Sequence, residues 1–161
     1  MRNTTLCHIE KDGKYLMLHR VKKKNDLNQD KWVGIGGKFE EKESPEQCNA
    51  REVSEETGLK LLDAKYRCVV TFVSDIWESE LMHVFTAKEF SGTIKTCDEG
   101  ELVWIDKTDL YSLPIWEGDK IFLRLIENEE YPFFSLRLEY KGDNLIGAQL
   151  NGKEFNFKEY L

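Results

Sequence analysis

Apolar and polar positions alternate from Thr4 to Glu10 and again from Tyr15 to Arg20, with Lys11-Asp12-Gly13 between them, which predicts two strands joined by a turn. A polar loop, Val21 to Lys31, leads into Trp32-Val33-Gly34-Ile35-Gly36-Gly37. Farther on, Tyr66 to Ser74 and Glu80 to Phe90 read as long strands and Leu102 to Ile105 as a short one. Ile121, Phe122, Leu125 and Ile126 recur at helical spacing and predict a helix over Asp119 to Asn128. The tail alternates in Phe133 to Tyr140, Leu145 to Leu150 and Phe155 to Phe157, broken by Lys141-Gly142-Asp143-Asn144 and by the hairpin signal Asn151-Gly152. Helices interleaved with strands, without regular βαβ alternation, predict an α/β fold with a mixed β-sheet between helices. With no repeat or low-complexity linker, residues 1–161 read as one domain.

A further helix is announced over residues 44–57. Ser44, Pro45 and Gln47 form a capping signature, and Gly58 is placed to end the helix in a left-handed conformation. At roughly 100° per residue, Glu52, Glu55 and Glu56 fall within about a third of the circumference, with Ala50, Val53 and Thr57 expected to pack on the opposite side. Like charges three and four residues apart repel by a few tenths of a kcal/mol per pair, so something must compensate them. A hard divalent cation such as Mg2+ does so, because it takes oxygen ligands from carboxylates, substrate phosphates and water. Arg51 can pair with Glu55 or with Glu43 and fix the geometry, while Gly36 and Gly37 let backbone approach the ion.

These residues obey a wider spacing, G-x5-E-x7-R-E-U-x-E-E-x-G-U with U aliphatic, filled from Gly37 through Glu43, Arg51, Glu52, Val53, Glu55, Glu56 and Gly58 to Leu59. Seven fixed matches have a chance expectation on the order of one in 10^8 per starting point, so a solvated acidic helix face is the poorer reading. The segment resembles the Nudix box, the signature of hydrolases that cleave a nucleoside diphosphate linked to another group, and the chain looks closest to the MutT-type branch that removes oxidised purine nucleoside triphosphates. The resemblance implies an α/β/α sandwich, Mg2+ with Mn2+ able to substitute, and Gly37 (main chain), Glu52, Glu55 and Glu56 as ligands. It also implies Arg51 and Glu43 as an orienting pair, and catalysis in which water attacks phosphorus while a carboxylate takes the proton.

Outside the box, Glu99 sits where MutT-like enzymes carry a catalytic or metal-binding glutamate, with Asp98 and Glu101 as rivals. The basic run His19, Arg20, Lys22, Lys23 and Lys24 reads either as a triphosphate contact, through Arg20 and Lys23, or as a solvated loop. Trp116-Glu117-Gly118-Asp119 resembles the W-x-x-D element with which relatives stack and hydrogen-bond a purine, although Trp116 could equally pack in the core. Gly118 and Val33 stand where some purine-specific members carry Asp and Asn.

Composition narrows the partners. The net charge of −7 opposes stable binding to nucleic acid or anionic lipid but leaves room for a small anionic nucleotide beside a bound cation. No signal peptide and no apolar run of about 20 residues is visible, so a soluble, cytoplasmic protein is expected. Four cysteines without C-x-x-C spacing agree with a reducing compartment, and the absence of a coiled-coil stretch makes a monomer the expectation. The reading is thus a nucleoside triphosphate pyrophosphohydrolase, with 8-oxo-dGTP as substrate. The alternatives are a hydrolase of ADP-ribose, a nucleotide sugar, a pteridine triphosphate or an RNA 5′ end, or a non-catalytic nucleotide sensor.

Overall fold

The computed structural model describes residues 1–21 and 26–161. The first alternation forms β1 (Arg2–Lys11) and β2 (Lys14–His19), joined at Asp12 and Gly13, whose φ angles of 53° and 74° are left-handed. The chain continues through β3 (Trp32–Val33), helix α1 (Pro45–Thr57), β4 (Lys60–Leu61), β5 (Lys65–Ser74) and β6 (Glu80–Ala87). Then come β7 (Phe90–Ser91), β8 (Glu101–Asp106), helix α2 (Glu117–Ile126), β9 (Phe134–Lys141), β10 (Asn144–Leu150) and β11 (Lys153–Glu154).

One mixed sheet runs β11-β10-β9-β5-β6-β1-β2-β3, with β8 paired to β2; β4 and β7 pair separately. The β1–β6 and β5–β9 pairs are parallel and the others antiparallel. Strands β1 and β2 pair only at the turn, through Glu10↔Tyr15 and Lys11↔Lys14. Beyond that point they separate, and residues 34–38 run along β1 in the gap, through bridges Cys7↔Ile35 and Thr4↔Lys38. That split creates the place where the cleft described below opens.

Alternation along the strands sends side chains to two cores. Tyr15, Met17, Val70, Val84 and Leu136 pack with Ile121 and Phe122 of α2, whereas Cys7, Leu16, Leu18 and Phe85 pack with Val53 of α1. The helices therefore cover opposite faces, giving the α/β/α sandwich. Each fully buried aliphatic or Phe side chain contributes roughly 1.5–3 kcal/mol, so both helices are held by packing more than by propensity. The α1 caps follow the sequence closely: Gln47 N–H donates to Ser44 Oγ, Ser44 N–H donates to Gln47 Oε1, and Gly58 closes the helix at φ 80°.

Three expectations are corrected. Ala50 is exposed, and the buried row of α1 is Cys48, Asn49, Val53 and Thr57; on the helix wheel Glu52 and Glu56 fall between Cys48 and Val53, so these acids flank the packed face and turn inward. Helix α2 starts at Glu117 and ends at Ile126, two residues ahead of the expected span. The last strand is Lys153–Glu154, because the Asn151-Gly152 turn pairs Leu150 directly with Lys153. Phe155 and Phe157 pack instead against the α2 core, and a short 3-10 turn at Phe157–Tyr160 lets Tyr160 O accept from Arg124 Nε at 2.7 Å. Both rings are half-buried there, and the chain leaves the sheet edge to reach that contact.

A Cβ on Gly36 would stand 1.7 Å from Thr5 O, whereas one on Gly147 would meet nothing within 4 Å. Gly36→Ala should therefore lose at least about 3 kcal/mol in chemical denaturation, and Gly147→Ala should stay within about 0.5 kcal/mol of wild type. Equal stabilities for the two variants would contradict this packing.

Candidate active site

The segment that fills the gap between β1 and β2 is pinned before any charge is considered. Ile35 and Cys7 exchange backbone hydrogen bonds (2.9 and 2.6 Å), and Thr5 N–H donates to Gly37 O at 2.9 Å. Cys48 lies beneath this turn, its Sγ 3.4 Å from Thr5 Oγ1 and 3.8 Å from Gly37 O, which accounts for a buried thiol on the acidic side of α1. The Gly37 carbonyl thus accepts from Thr5 N–H and, weakly, from the Cys48 thiol, a donor that a stronger partner could displace.

Onto this turn α1 lowers two carboxylates. A Cβ on Gly37 would be 2.5 Å from the Glu52 carboxyl carbon, so only glycine lets Glu52 sit there. Gly36 N–H donates to Glu56 Oε2 at 3.1 Å. From the other side, Gly100 approaches His19 O so closely that a Cβ would be 1.9 Å away, which presses the turn before β8 against β2. That turn brings Glu99 within hydrogen-bonding reach of Glu56. Glu52, Glu56 and Glu99 line one cleft of about 400 Å³, while Asp98 and Glu101 are exposed. Glu55, with a side chain 59 % exposed, stands at the rim and reaches the site through Arg51.

Arg51 organises the acids. It forks onto Glu43 through Nε (2.7 Å) and Nη2 (2.9 Å), and donates to Glu52 Oε1 (2.9 Å), Glu55 Oε2 (3.1 Å) and Lys38 O (3.0 Å). The guanidinium holds the Glu43 carboxyl down at about 2, with a further bond from Glu40 N–H. Inside the cleft the balance reverses: burial, then the neighbouring Glu99 and Glu52, raise Glu56 well above the ordinary carboxyl range, and burial also raises Glu52.

Arg20 is committed to acids of its own, bonding Asp26 Oδ2 at 2.9 Å and Glu99 Oε2 at 3.0 Å. It therefore orients Glu99, and a phosphate contact through it would have to share the guanidinium. Lys23, with Lys22 and Lys24, lies outside the described residues. Trp116 and Asp119 line the same cleft as the carboxylates. Trp116 is 6 % exposed; its Nε1 donates to Asn28 Oδ1 at 2.7 Å, and Lys31 Nζ lies 4.5 Å from its ring centroid. It both packs and lines the cleft. Gly118 is fixed by packing, since a Cβ would stand 2.4 Å from Leu138 Cδ1, and its N–H donates to Tyr140 Oη at 2.7 Å. Sequence reasoning missed Asp26, Asn28 and Lys31, which sit in a loop without periodicity; Asp26 folds back on Arg20 six residues earlier, and Asn28 and Lys31 act on the distant Trp116.

Among the described residues no three His, Cys, Asp or Glu side chains stand in a ready cage for a metal ion. The donor set nonetheless fits a hard divalent cation: carboxylate oxygens of Glu52, Glu56 and Glu99 beside a glycine turn, with no sulfur or imidazole among them. The raised Glu52 and Glu56 are those that an added positive charge would relieve.

Residues 1–126 match the NUDIX domain family. The chain belongs to the Nudix family. Among similar proteins, an uncharacterised Nudix hydrolase, YvcI, of Bacillus subtilis strain 168 is 31 % identical over 74 % of this chain and 75 % of its own length. An oxidised purine nucleoside triphosphate hydrolase of Danio rerio is also 31 % identical, over 76 % of this chain and 77 % of its own. In fold, a MutT protein from Bacillus halodurans superposes with a TM-score of 0.81 at 25 % identity, covering 95 % of this chain and 99 % of that one. This Nudix chain is accordingly an enzyme, a hydrolase of nucleotide pyrophosphates. Residues 37–59, whose spacing resembles the Nudix box, form the end of the glycine turn and α1 described above. No helix among the described residues is long and apolar enough to cross a membrane.

Burial pushes the Asp119 carboxyl of this Nudix hydrolase up from 3.8 to about 7, against the opposing charge of Lys31. The folded state holds the proton more tightly than the unfolded one, so the penalty for ionised Asp119 is absent below about pH 4, grows towards pH 7 and is complete above it. Asp119→Asn should therefore melt with wild type near pH 4 and be more stable by on the order of 3 kcal/mol at pH 8. A gap that is constant across that window would contradict the assignment.

Proposed function

We propose that the chain, acting as a single monomeric unit, is a Mg2+-dependent nucleoside triphosphate pyrophosphohydrolase that turns oxidised purine nucleotides such as 8-oxo-dGTP into the monophosphate and pyrophosphate. The observation that carries this reading is the continuity of the cleft: the carboxylates of Glu52, Glu56 and Glu99 and the aromatic and acidic pair Trp116 and Asp119 line one cavity. A nucleotide laid along it would meet oxygen donors at its phosphates and an apolar wall with a carboxyl group at its base. The activity named for the Danio rerio relative supports the substrate.

In this reading Glu52, Glu56 and Glu99, with the Gly37 carbonyl, hold the cation, and Glu55 completes the set from the rim. When bound there, a divalent ion supplies charge neutralisation at the phosphate oxygens and assists attack by water. The chain's own contribution is placement. Glu43 locks Arg51, Arg51 fixes Glu52 and Glu55, and Asp26 fixes Arg20, which in turn steadies Glu99 as the group that receives the proton. Asp119 hydrogen-bonds the base edge, and Trp116 offers it an aromatic wall.

Glu56→Gln keeps an oxygen for Gly36 N–H but removes the charge. Its kcat for pyrophosphate release in Mg2+ should drop about a hundredfold or more, equivalent to roughly 3 kcal/mol, with no loss of melting temperature. Wild-type turnover in this variant would refute the role. For the substrate, kcat/KM should be higher for 8-oxo-dGTP than for dGTP; equal values would remove the sanitising function while leaving the hydrolase.

A further inference from the structure

An ion pair faces inward on the floor of the cleft. Arg2 pairs with Glu80 across β1 and β6, Glu80 with Phe72 across β6 and β5, and Phe72 with Leu138 across β5 and β9, so the four share one row on one face of the sheet. Phe72 and Leu138 belong to the apolar core beneath α2. A charged pair in that row is unexpected, because desolvating two ions costs several kcal/mol that an apolar pair would not incur. Glu80 is only 8 % exposed. Its carboxylate accepts from Arg2 Nη2 and, at 3.4 Å, from Thr4 Oγ1. The guanidinium is less well satisfied: among the described residues its buried Nε has no hydrogen-bond partner, and Glu78 approaches only to 4.0 Å.

Both Arg2 and Glu80 line the cleft that holds Asp119. Gly118, beside Asp119, rests on Leu138; Arg2 lies three strand spacings away, but its Nη2 reaches back to Glu80, which is two spacings, roughly 10 Å, from Leu138. That is the scale of a base with a hydrogen bond at each edge. Between the polar ends lie Phe72 and Met82, which offer an apolar floor for a ring. The slot thus presents a carboxyl group at one end and a planar cation at the other. A guanidinium pairs with carbonyl and ring-nitrogen acceptors of a base, as it does with the O6 edge of guanine.

We propose that Arg2, held in place by Glu80, is a specificity-determining residue that donates to the C6 carbonyl of a guanine-type base at the end of the slot remote from Asp119. The inference rests on the nucleotide-hydrolase reading given above and sharpens its choice of base. Guanine and its C8-oxidised form fit this arrangement, and adenine, with an amino group at C6, does not.

The test is equilibrium binding, by calorimetry, of dGMP and of its 6-thio analogue, in which sulfur, a weak acceptor, replaces the carbonyl oxygen while the ring N–H groups remain. Wild type should bind dGMP about tenfold more tightly than the analogue, and Arg2→Ala and Glu80→Gln should remove that preference by weakening dGMP alone. Arg2→Lys keeps the ion pair and serves if Arg2→Ala melts early; it should lose most of the preference, because an ammonium lacks the planar fork. A wild type that binds the two ligands equally, or binds neither, overturns the proposal, as does a preference left intact in Arg2→Lys and Glu80→Gln. Pyrophosphate release from nucleoside triphosphates, assayed on the same wild-type sample, reports separately on the reaction. Release with an unchanged preference in the variants sinks the Arg2 assignment alone, and a lost preference without release sinks the proposed reaction alone.

Discussion

The close approach of a glycine turn to both a strand and a helix is the constraint on which the rest depends. Gly36 rests against Thr5 of β1, and Gly37 lies under the carboxylate of Glu52, in each case with no room for a Cβ. The turn can reach that position because β1 and β2 part after two residue pairs. Helix α1 is then placed by its Ser44 cap at one end, Gly58 at the other and Val53 in the core, so Glu52 and Glu56 must point at the turn. Packing supplies the precision, and the charges have to accept it.

Accepting it is costly, and the compensation comes from the flanks. Arg51 serves Glu43, Glu52 and Glu55 from one side, and Arg20 serves Asp26 and Glu99 from the other. Glu56, between them, has the Gly36 amide and is left with its carboxyl raised by burial and by Glu99. Asp119 and the Arg2–Glu80 pair repeat the theme at the other end of the cleft, where polar groups are buried beside Phe72 and Leu138. A fold selected for stability alone would place apolar side chains at these positions. Their concentration along one cavity is what a site for a charged, planar ligand requires.

The local part of this design was legible in the chain. The capping box, Gly58, the spacing of Glu43, Arg51, Glu52, Glu55 and Glu56, and the alternation of β1, β2, β5 and β6 are all short-range signals, and each corresponds to an element in the structure. What depends on contacts between distant segments was not. The choice of Glu99 over Asp98 and Glu101 as the acid lining the cleft is made by the press of Gly100 against His19, which has no sequence signature. The tie from Arg20 to Asp26, the cover of Trp116 by Asn28 and Lys31, and the Arg2–Glu80 row depend on strand register and loop path. Helical periodicity also misplaced Ala50, because the wheel alone does not say which arc meets the sheet.

The proposed cation site brings the carboxylates of Glu52, Glu56 and Glu99 together against the Gly36-Gly37 turn. Anomalous diffraction from crystals grown with Mn2+ would locate the ion. A manganese peak is expected within coordination distance, about 2.0–2.3 Å, of Glu52 and Glu56 oxygens, and it should vanish in Glu56→Gln. Well-ordered crystals with no peak there at millimolar Mn2+, or with the ion bound elsewhere, would contradict the proposed site.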